Sequence, residues 1–92
     1  MTIENSKKLI KSFTNDAKQG ALFHAAAKLS KLHDYLVASD VPATTVEFII
    51  DSTMTALNDG DIFDAVDHFT YGAFLARRRS SDAKVAAYKA QA

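Results

Sequence analysis

The chain has 92 residues, 48% of them apolar, and a formal net charge of zero. That length allows one domain with a modest core, and so large an apolar fraction excludes a disordered chain. With no cysteine, disulfides, thiolate zinc sites and a cysteine nucleophile are excluded, and balanced charge argues against a dedicated nucleic-acid binder.

The neutral total hides segregation. Residues 1–31 hold six lysines against Glu4 and Asp16, residues 32–76 hold eight acids and no Lys or Arg, and the tail from Arg77 is basic again. No stretch approaches the roughly 20 apolar residues that span a bilayer, and the first residues lack the apolar run of a secretion signal. The expectation is a soluble cytoplasmic protein with no membrane partner.

In chain order, the first predicted helix covers 4–19, with Leu9, Ile10, Phe13 and Ala17 on one face, and Gly20 suits its C-terminal cap. The second covers 21–38, where Leu22, Ala25, Ala26, Leu29, Leu32 and Leu36 keep the helical period. Pro42 then biases Val41 away from helix, and Thr44 with Glu47 reads as a capping box. The third helix covers 45–58, with Val46, Ile49, Ile50, Thr53, Met54 and Leu57 facing inward. Asp61 is the predicted N-cap of a fourth helix running to Arg79, with Asp64 in its first turn. Ser80 or Ser81 is predicted to cap a fifth, Ala-rich helix over 82–91. Nothing alternates with period two for long enough to be a strand. The fold class is all-α: one domain over 1–92, with hairpins at 4–38 and 44–79 and a short C-terminal helix.

An offset of forty residues superimposes Ile10 on Ile50, Ser12 on Ser52, Gly20 on Gly60, Phe23 on Phe63 and Ala25 on Ala65. The same offset sets Lys7 against Glu47, Lys11 against Asp51 and His24 against Asp64. A repeat of this length is the signature of a duplicated helix–turn–helix unit. Gly60, Ala65 and Phe69, with Gly20, Ala25 and Leu29 before them, resemble the turn and second helix of a tetratricopeptide repeat. The period is 40 rather than that family's 34, Ile49 stands at its tryptophan-like position, and no proline closes the unit after Phe69. The resemblance implies stacked helical hairpins with small residues where they cross. An ordinary four-helix bundle fits the same pattern.

Tests for chemistry give little. With Gly60 at the sixth position of an EF-hand loop, Thr55, Leu57 and Val66 would fall where carboxylates are needed. Asp64 and His68 stand one turn apart and would be two metal ligands, with His24 as a third, but an i,i+4 surface pair explains them as well. No nucleophile–base set or glycine-rich phosphate loop is present. The expectation is no enzyme, no cofactor and no metal site. Arg77–Arg79 read as a cationic helix end.

The fourth helix carries the interaction signal. Residues 69–76 are apolar or aromatic almost all round, whereas the helix of a small monomer needs a polar face. Val66 and Phe69 face the core, while Tyr71, Phe74 and Leu75 cannot all join them. Either Val85 and Tyr88 cover the remainder or another chain does. These features point to a non-catalytic protein–protein interaction module. It would act as a regulator, inhibitor or adaptor, of the kind phage encode, with a protein partner or a second copy of itself. The candidate contacts are Tyr71, Phe74 and Leu75 with Lys7, Lys11, Glu47, Asp51 and Asp64. Pairing of Lys7 and Lys11 with Asp64 or Asp67 inside one chain is the competing arrangement. Electrostatic binding or mimicry of nucleic acid is the alternative function, followed by a small-ligand receptor or an enzyme.

Overall fold

The computed structural model describes the backbone of residues 3–91 and the side chains of residues 3–79. Four helices follow one another: α1 (Ile3–Lys18), α2 (Leu22–Ala38), α3 (Ala43–Asn58) and α4 (Ile62–Gln91). No strand occurs among the described residues.

One turn design recurs every twenty residues. Gly20, Asp40 and Gly60 take positive φ values of 71°, 58° and 75°, the left-handed conformation that ends a helix most easily at glycine. At each turn two crossed hydrogen bonds recover the last carbonyls. Ala21 N–H donates to Asp16 O at 2.9 Å and Gly20 N–H to Ala17 O at 3.2 Å. The same pair recurs as Val41 to Leu36 with Asp40 to Val37, and as Asp61 to Ala56 with Gly60 to Leu57. These are Schellman motifs. Their 20-residue spacing makes the 40-residue repeat half-visible at its own midpoint.

The four helices form a rhombus. Each of α1 and α3 packs against both α2 and α4, α2 and α4 meet across the short diagonal, and α1 and α3 barely touch. Gly72 permits the short diagonal: a Cβ there would lie 2.9 Å from Ile49 Cγ2 and 3.0 Å from Leu32 Cδ2. On the α1–α4 edge the rings of Phe13 and Phe69 stack at 4.0 Å.

Burial repeats with the sequence. Ser6, Leu9, Phe13, Ala17, Ala25, Leu29, Leu32 and Leu36 are buried, and so are Val46, Ile49, Thr53, Leu57, Ala65, Phe69, Gly72 and Ala76 at the forty-residue offset. Within these pairs a large side chain often answers a small one, in both directions: Phe13 with Thr53 and Leu32 with Gly72, against Ser6 with Val46 and Ala17 with Leu57. Such exchange keeps core volume constant while the two copies diverge. The Thr53 hydroxyl is satisfied by donating to Ile49 O at 2.7 Å.

Four expectations need correction. The segment 82–91 is helical but continues α4 without a break at Ser80 or Ser81. No Gly or Pro interrupts it, and serine costs a helix interior only about half a kcal/mol. The side chains of Val85 and Tyr88 lie outside the described residues. Pro42 occupies the N-cap of α3 with no side-chain cap. Thr44 therefore falls inside the first turn, because proline's fixed φ already suits the approach to a helix. The Asp61 cap does form, its Oδ1 accepting from Asp64 N–H at 3.0 Å. Val66 is only partly buried, and Leu22 is exposed at the first residue of α2, where the turn holds it outside the rhombus. Phe23 and Phe63 keep their shared register position, where they stand 93% and 84% exposed.

Candidate functional site

The α3/α4 side of the bundle carries an aromatic ridge. Phe63, Asp67, Tyr71, Phe74 and Arg78 recur at spacings of three or four and are all exposed on the outer stripe of α4. Tyr71 is 56% exposed and Phe74 55%, while Leu75 is partly buried against the core. The Arg77 guanidinium lies 4.9 Å from the centroid of the Phe74 ring, a cation–π contact that orders both side chains. On α3, Phe48 is 63% exposed. Its ring meets His68 edge to face, with centroids 6.4 Å apart and planes at 87°. His68 Nε2 in turn lies 3.5 Å from Asp64 Oδ2, a pair that is ionic only when the imidazole is protonated. Phe48 thus projects from the surface on a support one helix away. Glu47 and Asp51 flank it, exposed.

Of the residues named from the sequence, Tyr71, Phe74 and Asp64 are exposed on α4, Glu47 and Asp51 are exposed on α3, and Leu75 is partly buried. It missed Phe48 and the supporting role of His68. The available signal was phase: Phe48 falls outside the Val46–Ile49–Thr53 core stripe, so α3 could not bury it.

The α1/α2 side carries the opposite relief. An open groove of about 250 Å3 is lined by Lys8, Lys28 and Lys31 together with buried Leu9, half-buried Ser12, and exposed Asn5 and Tyr35. Lys28 donates to Asp16 Oδ2 at 3.3 Å across the hairpin. At the forty-residue offset, Lys8 corresponds to Phe48, Lys28 to His68, Lys31 to Tyr71 and Tyr35 to Leu75. The two hairpins place a basic groove and an aromatic ridge at the same register.

Lys7 and Lys11 are exposed on α1, away from the ridge. The internal pairing with Asp64 or Asp67 does not form. Among the described residues neither lysine meets a carboxylate within 4.0 Å, and Asp64 engages His68 instead. The reason is positional: Asp64 turns to His68 on the α3 side of α4, and Asp67 sits on the outer stripe. Among the described residues no group of three or more His, Asp or Glu side chains converges, so His24 does not join Asp64 and His68. Nor is any helix among them long and apolar enough to cross a membrane. Comparison with known protein families, curated proteins and solved structures finds no match.

Proposed function

We propose that this protein is a non-catalytic binding module that acts on other proteins through its aromatic ridge, as regulators, inhibitors and adaptors do. The observation that supports this reading is the exposure of Phe48, Tyr71 and Phe74 on one side of a small bundle. A helix face turned to water is normally polar, and exposed aromatic side chains are the usual anchors of protein interfaces. The anchors are held in advance, Phe74 by Arg77 and Phe48 by His68, so little side-chain entropy is lost on docking. Glu47, Asp51, Asp64 and Asp67 make the Phe48 end of the ridge acidic, while Arg77 and Arg78 make the Phe74 end basic, so a fitting partner carries an apolar surface with both signs of charge.

Site-specific photo-crosslinking in cells tests the reading. A crosslinker replacing Tyr71 captures a protein, and one replacing Asn58, exposed at the far end of α3, does not. The capture persists at about 0.5 M salt, where exposed charge–charge attraction is largely screened. Equal capture from both positions, or none from Tyr71, rejects the ridge as the binding surface.

A further inference from the structure

We propose that the ridge of one copy docks into the groove of a second copy, so that the chain assembles head to tail. The proposal rests on the reading of the ridge as a protein-binding surface and names what it binds. Relief, charge and placement support it.

Relief comes first. Phe48 stands proud between Glu47 and Asp51, and the groove offers an open volume of about 250 Å3 against Leu9, room for one aromatic side chain. Charge matches that relief. Lys8 and Lys31 are exposed at the groove, with no carboxylate within 4.0 Å among the described residues. These two unpaired cations beside Lys28 repel each other, and the acids beside Phe48 and on α4 (Glu47, Asp51, Asp64 and Asp67) would relieve them. Lys28 is already held by Asp16 and serves as a fixed wall.

Placement then decides between self-neutralisation and association. The helices pack in a ring, so the α1/α2 and α3/α4 sides face opposite ways and no copy can fill its own groove. Because Lys8 and Phe48 hold one register in their hairpins, groove and ridge lie at the same height on the bundle. A surface joined to a different surface on the next copy is a heterologous contact, which grows into a ring or a filament rather than stopping at a two-fold dimer. The charges set register and the aromatic side chains set affinity.

Two complementary variants test this. Lys8→Gln with Lys31→Gln blunts the groove and keeps the ridge, whereas Phe48→Ala with Tyr71→Ala removes the ridge anchors and keeps the groove. All four positions are solvent-exposed, and circular dichroism confirms that each variant folds. Light scattering is read from about 10 μM to about 1 mM, where weak association registers. The wild type gains mass with concentration at low salt, and each variant alone stays monomeric. An equimolar mixture forms a dimer and nothing larger, because only one ridge–groove pair survives. A wild type that stays monomeric, a ridge variant that assembles like the wild type, or a mixture that stays monomeric overturns the proposal. A monomeric wild type whose Tyr71 crosslinker still captures a different protein overturns the second copy as partner and leaves the ridge reading standing. Failure of both experiments removes both.

Discussion

Phe13 of α1 and Phe69 of α4 stack with centroids 4.0 Å apart and planes 7° from parallel, both rings fully buried. Their forty-residue counterparts, Thr53 and Leu29, form no ring pair, so the stack marks the α1–α4 edge as different from the α2–α3 edge. It is where the first and last helices close the bundle. Phe69→Ala is expected to cost about 3–5 kcal/mol, and Phe13→Ala a similar amount. In urea unfolding, the double variant should lose less than the sum of the two, by about 0.5–1.5 kcal/mol of ring–ring coupling. Full additivity would show that the stacked rings do not interact beyond filling space.

Gly72→Ala should destabilise the fold although alanine is the better helix former. The helix-propensity gain is at most about 1 kcal/mol, whereas the new methyl would meet Ile49 and Leu32 at 2.9 and 3.0 Å. Both neighbours are fully buried and have nowhere to swing, and overpacking of this kind costs about 1–3 kcal/mol. Combining Gly72→Ala with Leu32→Ala should recover part of the loss from Leu32→Ala alone, since the new methyl then fills vacated space. A Gly72→Ala protein with a raised melting temperature would show that the diagonal is looser than described.

The three turns give paired predictions of opposite sign. Gly20 and Gly60 have open space around them but positive φ, so Gly20→Ala and Gly60→Ala each lose about 1 kcal/mol to backbone strain. Asp40 holds the same conformation with a side chain, and Asp40→Gly should be neutral or stabilising by a few tenths of a kcal/mol. Thermal unfolding of the three variants checks this. A stability loss at Asp40→Gly as large as those at the glycines would contradict it.

Tyr71→Ala and Phe74→Ala separate binding from folding. Both side chains are more than half exposed, so each substitution should change unfolding free energy by no more than about 0.5 kcal/mol. Each should nevertheless reduce capture of the protein partner several-fold if the residue is an interface anchor. A large stability loss with unchanged binding would assign these aromatic side chains to the fold.

The sequence by itself determined the helices, the turns and the repeat. Gly20, Gly60, Pro42 and the Asp61 cap act within a few residues of the chain, so their effects can be read without knowing what lies opposite. The 3.6-residue period marked Phe13, Leu32, Ile49 and Phe69 as core for the same local reason. Two misreadings came from trusting weak local signals: Ser80–Ser81 does not stop α4, and Thr44 does not cap α3. Tertiary structure alone decided what the helices meet. The close α2–α4 diagonal depends on Gly72 standing against Leu32 and Ile49, a contact between residues forty and twenty-three positions away. Phe48 was legible only as an aromatic out of phase. Its role depends on His68 arriving from the neighbouring helix, and the groove exists only because α1 and α2 set Lys8 across from Lys28 and Lys31. Charge inversion between the copies was visible along the chain, but its placement on opposite sides of the bundle was not. Period and capping are properties of one segment, whereas facing and opposition are properties of a pair.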